Sequence, residues 1–323
     1  MLKRGRRALP IAAAILTLSA VAAAAMGPRP PAWAFPQPPA STLQLPAGEA
    51  AVRLRGLARP IKKAFVDQLF AAADWSPGDH PPMPAIVAHG RRPDVYACGL
   101  CHLADGQGKP ENASLAGLPA AYIVQQLAEM RAGRRGSAVA GLTPQALMRH
   151  VAESARPGEV AAAALYFAGL PYRPWIRVVE TGSVPRLKIS AISTFEPAAG
   201  GGVEPLGERI VEMPDWPARS PGGHPRGFVA YAPVGSVRRG AALAASGEGR
   251  TMACAACHGV RLQGLDEAPR LAGRSPTYLA RQLFDLRAGA RRGPAVARMA
   301  PAAAQLTNAD IVDLAAYLGS LRP

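Results

Sequence analysis

The chain has 323 residues, 49% of them hydrophobic, which is enough for two ordinary globular domains with buried cores. Its 33 glycines and 33 prolines exclude one uninterrupted regular fold and predict compact modules joined by extended segments. The formal net charge is +15, yet no Lys/Arg run interleaved with aromatic residues follows the N-terminal region, so we do not expect nucleic acid binding. A cationic surface of this kind can steer an acidic protein partner.

Residues 1–34 have the composition of an export signal. The basic start MLKRGRR precedes an apolar run of 19 residues, and AWA at 32–34 offers a small-x-small cleavage site before Phe35. The apolar run is also close to the roughly 20 residues that span a bilayer, so it is either a cleaved signal peptide or an uncleaved membrane anchor. Both alternatives predict a periplasmic protein, soluble or tethered to the inner membrane.

A Pro-rich extension, residues 35–87, follows this signal. Its amphipathic stretch PIKKAFVDQLFAAADW predicts one helix. The next segment, 88–171, contains the motif CGLCH at 98–102 and then the amphipathic helix pattern LAGLPAAYIVQQLAEMRAG, which ends at Gly133. Pro157 stands near the first position of a closing helix that ends with ALYFAGL.

The segment 172–236 differs in composition from the helical patterns on either side. Runs of β-branched residues, such as IRVVE and KISAIS, alternate with Gly/Pro breaks. This pattern predicts a short β-hairpin or an extended wrap rather than a free linker.

The last segment, 237–323, repeats the module before the linker. CAACH at 254–258 aligns with the first motif at an offset of 156, and LAGRSPTYLARQLFDLRAG aligns at the same offset without a gap, ending at Gly289. The closing helices align at an offset of 151, with Thr307 or Asn308 as the N-cap of the second. Met148 and Met299 also align at 151.

The two C-x-x-C-H motifs use every cysteine in the chain. Positions i, i+3 and i+4 share one face of a helical turn, so both thiols can add to the vinyl groups of one porphyrin while the histidine binds its iron. Two such motifs behind an export signal predict two covalently attached haems c. The attachment residues are Cys98, Cys101, Cys254 and Cys257, and the proximal iron ligands are His102 and His258.

Three other uses of these cysteines fit less well. A thioredoxin-like dithiol needs a βαβ setting, which neither motif has. A four-cysteine zinc site leaves both histidines unexplained, and it must join pairs 156 residues apart. Disulfides closed within C-x-x-C are strained and stabilise little.

The distal iron ligand is predicted to be a methionine in each module. A thioether favours ferrous iron and raises the reduction potential. Met299, in what the pattern indicates is a loop before the last helix, is the ligand expected in the second module. In the first module Met148 is expected, with His150 as its competitor. Met130 and Met252 are interpreted as packing residues.

With these motifs the chain resembles the tandem class I cytochromes c, and in particular the diheme cytochromes c4, over about 88–171 and 237–323. The resemblance implies an all-α fold of two small haem domains joined by a long, partly extended linker. It implies electron transport in the periplasm. It also implies a proline whose carbonyl accepts a hydrogen bond from the proximal histidine; Pro269 fits that place, and the first module has Ala113 instead.

The predicted function is single-electron transfer between a redox protein donor and an acceptor, without catalysis, because two His/Met haems leave no open iron position. One alternative is the haem subunit of a periplasmic dehydrogenase or oxidase complex, which keeps the same chemistry. A second is a diheme enzyme of the peroxidase or thiosulfate-oxidising type with an exchangeable ligand at the first haem.

Overall fold

The computed structural model describes residues 29–38, 50–190, 193–215 and 227–323, apart from positions 56, 58 and 76. Helices dominate both segments that carry a C-x-x-C-H motif. In chain order they are α1 Lys63–Asp67, α2 Ala85–Ala88, α3 Cys98–His102, α4 Ala120–Arg131, α5 Thr143–Ser154, α6 Pro157–Ala168, α7 Ser236–Ser246, α8 Ala255–His258, α9 Pro276–Arg287, α10 Met299–Ala304 and α11 Asn308–Ser320. We call 88–171 the first module and 237–323 the second module.

Nine short strands complete the secondary structure of the described residues. They are β1 Ala51–Val52, β2 Ile61–Lys62, β3 Ile176–Glu180, β4 Ser183–Pro185, β5 Leu187–Ile189, β6 Phe195–Pro197, β7 Val203–Pro205, β8 Val211–Pro214 and β9 Phe228–Ala232. The predicted helix over PIKKAFVDQLFAAADW is shorter than expected, since only α1 and one 3-10 turn form there.

The segment between the modules is more ordered than the predicted hairpin or wrap. Strands β3, β9 and β8 form a mixed sheet in that order, with β3 parallel to β9 in the register Ile176↔Phe228 and β8 antiparallel to β9. Two antiparallel ladders, β4–β7 and β5–β6, accompany it. The consecutive antiparallel strands β5 and β6 are the predicted hairpin. The β3–β9–β8 sheet was not predicted, because local periodicity identifies strands but not their long-range partners.

The linker sheet is fastened to the second module through a buried carboxylate. Glu212 on β8 is 1% exposed, and its Oε2 accepts hydrogen bonds from the hydroxyls of Ser275 and Thr277 at 2.7 and 2.8 Å. The backbone N–H of Thr277 also donates to it at 3.1 Å. A carboxylate at the first turn of α9 stabilises the positive end of the helix dipole.

The core of the first module takes in part of the N-terminal extension. Leu54, Val66, Leu69 and Phe70 are buried with residues of α2, α5 and α6. The opening helix of this module is reduced to the single turn α2. Residues that precede the module therefore supply apolar surface that a longer opening helix would otherwise provide.

The second module has a full opening helix, α7, which packs against the closing helix α11 at a glycine. A Cβ atom on Gly240 would lie 2.0 Å from the carbonyl oxygen of Asp313, so only glycine permits this close helix crossing. The Asp313 side chain also accepts two hydrogen bonds from Arg239, at 2.8 and 2.9 Å. As predicted, α11 begins at an N-cap, and the structure identifies it as Thr307.

Aligned residues make the same contacts in both modules. Arg131, at the end of α4, donates to the carbonyls of Ala152 and Ala155, and Arg287, at the end of α9, donates to the carbonyl of Leu306 at 2.8 Å. Gly133 and Gly289 follow these helices with φ of 69° and 67°, as expected of C-terminal caps. The sequence repeat therefore corresponds to a structural one.

Residues 32–35 insert into the core of the second module. Trp33 and Phe35 pack against Phe284 on α9, with ring centroids 6.1 and 6.3 Å apart. Ala34 is fully buried, and its carbonyl accepts a hydrogen bond from Arg281. Within the described residues no helix is long and apolar enough to cross a membrane.

We expect Phe35→Ala to lower the free energy of unfolding by about 3 kcal/mol, because it empties a buried aromatic site. Urea denaturation of the full haem-loaded chain, followed by circular dichroism, measures this loss. Gln37→Ala, two residues away and exposed, is the control and should change stability by less than about 0.5 kcal/mol. Equal stability of the two variants would contradict the insertion of this segment.

Candidate functional site

The second motif forms the single turn α8, with Cys254 at its N-cap. His258, at the end of this turn, is 8% exposed. Its Nδ1 lies 2.8 Å from the carbonyl oxygen of Pro269. Because a carbonyl oxygen can only accept, Nδ1 must carry the proton, and Nε2 of the neutral ring keeps a free electron pair. The ring is therefore oriented and ready to donate electrons to a metal through Nε2.

The first motif has the same arrangement. His102 ends α3, and its Nδ1 lies 2.7 Å from the carbonyl oxygen of Ala113. The hydrogen bond that was expected to end on a proline carbonyl is therefore accepted by the carbonyl of alanine here. The orientation of the histidine needs the backbone oxygen and not the proline ring. Burial lowers the pKa of both His102 and His258, which favours the neutral imidazole that iron requires.

The loop after each motif closes back on the histidine. The backbone N–H of Gly108 donates to the carbonyl of His102, and that of Gly264 donates to the carbonyl of His258, both at 3.0 Å. A Cβ on Gly108 would lie 2.7 Å from the carbonyl oxygen of Ala113, the atom to which His102 donates. A larger residue at position 108 would displace this carbonyl, so glycine is needed for the hydrogen bond that orients His102.

A cavity of about 730 Å³ brings the predicted residues of the second module together. Cys254, Cys257, His258 and Met299 all line it. This volume falls in the range of about 300–1,000 Å³ that is usual for cofactor sites. The donor set therefore fits a haem: two thiols for the vinyl groups, one imidazole nitrogen and one thioether sulfur for the iron.

Two expectations for the methionines of the second module were wrong. Met299 begins the short helix α10 and does not lie in a loop. Met252 is not a packing residue, because it is 51% exposed and lines the same cavity as Met299. Both methionines line the cavity, so its lining alone does not identify the predicted iron ligand. Met299 is preferred over Met252 because it aligns with Met148 in the repeat.

In the first module the two candidate distal ligands lie on one helix. Met148 and His150 are both half-buried on α5. Residues two apart on a helix point in different directions, so only one of them can face a given ligand. The His150 ring lies 5.5 Å from that of Tyr96, and its Nε2 is 3.9 Å from Asp94. His150 therefore already has partners, and Met148 stays the predicted ligand.

Burial also affects the cysteines. It raises the pKa of Cys98 to about 12 and raises the pKa values of Cys101 and Cys254, so these sulfurs are thiols at neutral pH. Covalent attachment of a porphyrin consumes these thiols and leaves no buried charge behind. The chemistry of both motifs therefore fits thioether bonds.

Comparison with known proteins agrees with this chemistry. Residues 237–322 match the family model described as Cytochrome c. Cytochrome c-554(548) of Halomonas halodenitrificans is 45% identical over 78 residues, which are 24% of this chain and 94% of that protein. The chain belongs to the cytochrome c family. Haem c is therefore its covalently bound cofactor and electron transfer its function, and both predictions are confirmed.

One further relative of this cytochrome c covers most of the chain, and a second matches a part about the length of one module. The thiosulfate dehydrogenase electron acceptor of Thiomonas intermedia is 26% identical over 231 residues, which are 71% of this chain and 80% of that protein. Cytochrome c4 of Azotobacter vinelandii is 36% identical over 89 residues, which are 25% of this chain and 41% of that protein. The resemblance to diheme cytochromes c4 stated from the motifs is confirmed.

We expect the double variant Cys254→Ser, Cys257→Ser to contain half of the wild-type covalent haem, because its second motif can form no thioether bond. The pyridine haemochrome assay and intact mass measure this loss. The matched variant Cys98→Ser, Cys101→Ser should also lose one haem. Full haem content in either variant would refute attachment at that motif.

Proposed function

We propose that this cytochrome c transfers single electrons through two haems, with His102 and His258 as proximal ligands and Met148 and Met299 as distal ligands. The observation that carries the proposal is the cavity of the second module, which is lined by His258, Met299 and both cysteines of the motif. There Nδ1 of His258 donates to the carbonyl oxygen of Pro269, which leaves Nε2 free. When bound, haem supplies the one-electron ferric/ferrous couple.

The protein residues position and insulate this couple. The carbonyl oxygens of Ala113 and Pro269 hold the imidazoles in one tautomer and one orientation. The walls of the cavity in the second module are largely apolar and include Leu271, Leu283 and Leu314. Low polarity reduces the rearrangement of surroundings when the iron changes charge. Two histidine–methionine pairs also leave no iron position for a substrate, so the proposal includes no catalysis.

The partner is proposed to be a redox enzyme. The thiosulfate dehydrogenase electron acceptor spans both modules in the comparison, so a periplasmic dehydrogenase or oxidase complex is a suitable electron donor. The net charge of +15 favours encounter with an acidic partner surface. The alternative diheme enzyme requires an exchangeable ligand, and the first haem is the place to test for one because Met148 and His150 compete there.

We expect Met148→Ala to abolish the methionine–ferric iron charge-transfer absorption of one haem and to lower one of the two reduction potentials, because the ferrous state loses its thioether ligand. A potentiometric titration followed by absorption spectra measures both. His150→Ala is the matched control on the same helix and should change neither. Exchange of these two outcomes would assign His150 as the ligand.

The rate of carbon monoxide binding distinguishes an electron carrier from an enzyme. The reduced wild-type protein should bind carbon monoxide slowly, since both irons keep two protein ligands. Rapid binding would favour the diheme enzyme over the electron carrier.

We also propose that the exported chain retains Trp33 and Ala34. Cleavage at AWA would remove the Trp33 ring from Phe284 and place a new ammonium group on Phe35, which is 3% exposed. Burial of an unpaired ammonium group costs several kcal/mol. Processing therefore occurs before Trp33, or the apolar run stays as a membrane tether.

Intact mass and N-terminal sequencing of the haem-loaded protein from an exporting host test this second proposal. We expect the first residue to be Trp33 or an earlier one. A mature chain that begins at Phe35 would contradict it.

A further inference from the structure

Arg135 and Arg291 meet where the two modules touch. They are equivalent residues of the repeat, at the same offset of 156 as the motifs, and they pair as an antiparallel bridge. On either side the N–H of Gly136 donates to the carbonyl of Ala290 at 2.8 Å, and that of Arg292 donates to the carbonyl of Arg134 at 2.9 Å. The loops after α4 and α9 are therefore joined across an approximate two-fold axis.

The side chains at this junction are shared between the modules. Arg135 donates to Oε1 of Gln126 at 2.8 Å and to Oε1 of Gln282 at 3.2 Å. Arg291 donates to the same two oxygens, at 3.2 and 3.0 Å. Each arginine is thus held by one glutamine of its own module and one of the other. Both glutamine acceptors are neutral, so these bonds position the guanidinium groups without balancing their charge.

Three more arginines lie beside the cavity of the second module, and one of them, Arg298, is exposed. Arg270 and Arg274 line it together with Arg291, His258 and Met299. Arg274 is 4% exposed and donates to the carbonyls of Arg270 and Ser114, at 2.6 and 2.9 Å. Arg270, Arg274 and Arg291 each keep one buried nitrogen without a hydrogen-bond partner.

The buried and half-buried arginines of this cavity lack ion-pair partners in the described part of the chain. Within the described ranges Arg270, Arg274 and Arg291 form no ion pair with a carboxylate, and the two acidic residues that also line the cavity, Asp266 and Glu267, are exposed. Asp285 attracts Arg291 from a distance, but its Oδ1 is taken by the N–H of Ala138 at 2.8 Å. Burial lowers the pKa of Arg270 and Arg291. Burial would raise the pKa of Tyr278, yet the field of Arg135, Arg291 and Arg274 lowers it.

An unpaired buried charge is costly, so an anion is expected to complete this site. Haem carries two carboxylates, the propionates, and arginine is the side chain best suited to bind a carboxylate. We propose that Arg270, Arg274 and Arg291 bind the propionates of the haem in the second module. This proposal rests on the proposed attachment of that haem at Cys254 and Cys257.

The first module takes part in this site. Gln126, which shares its Oε1 between Arg135 and Arg291, also lines the cavity, as do Tyr122 and Leu118. Gln126 is therefore a positioning residue for a haem that is attached to the other module. The reduction potential of the second haem then depends on how the modules are docked.

The test is a potentiometric titration of the full diheme protein carrying Arg291→Gln. Loss of a buried positive charge favours ferric iron, which carries one more positive charge than ferrous iron, so the potential of the second haem should fall. That haem is identified as the one whose signal is missing in the Cys254→Ser, Cys257→Ser variant. The potential should also become dependent on pH, because a propionate without its arginine titrates closer to neutrality.

Arg292→Gln is the matched control, since it removes the same charge from the neighbouring, exposed residue and should leave the potential nearly unchanged. Arg291→Lys should restore most of the wild-type potential. Arg270→Gln, at a half-buried residue, should lower the same potential. It replaces Arg291→Gln in the test if that variant does not fold.

The outcomes separate this inference from the proposed function. If Arg291→Gln and Arg270→Gln retain both haems and behave like Arg292→Gln, the propionate site is refuted while the electron carrier stands. If the wild-type potential shifts on addition of inorganic phosphate, the arginines are open to a free anion, which also refutes it. Absence of covalent haem at the second motif in the wild type would refute the proposed function first.

Discussion

One hydrogen bond, from Nδ1 of a histidine to a backbone carbonyl eleven residues later, organises each cofactor site. It leaves Nε2 as the ring nitrogen with a free electron pair, and it holds the following loop against the motif. The rest of the module supports this loop: Gly108 leaves space for the accepting carbonyl, and the closing helix accepts a hydrogen bond from the loop, from Gly117 to Phe167 and from Gly273 to Leu318. The packing of the closing helix therefore helps to fix the position of the histidine, through backbone hydrogen bonds to the loop.

Much of the helical fold and of the site could be predicted because the signals are local. The C-x-x-C-H spacing identifies attachment chemistry within five residues, and Gly133 and Gly289 end helices through their own backbone conformation. Alignment within the repeat predicted that Met299 belongs to the site, and Met299 lines the cavity, although its helix was not predicted. The turn α10 has too little periodicity to be distinguished from a loop.

The features that could not be predicted depend on contacts between distant segments. The hydrogen bonds of Glu212 with Ser275 and Thr277 join the linker to α9, and nothing near Glu212 in the sequence indicates that partner. The strand β9 lies parallel to β3 about fifty residues away, an arrangement that strand propensity does not specify. Nothing in the sequence distinguishes Arg135 and Arg291 from the other arginines of this cationic chain. Their significance becomes apparent only when the modules meet.

The insertion of Trp33–Phe35 beside Phe284 has a consequence for biogenesis. Residues 33–35 are synthesised early, and they must wait for α9, which is synthesised much later. Closing such a long loop is a late event in folding, since the entropy of closure must be overcome before the contact stabilises anything. A chain interrupted after the first module would keep an exposed tryptophan and phenylalanine near its N-terminus. Such exposed apolar residues would make incomplete chains prone to aggregation.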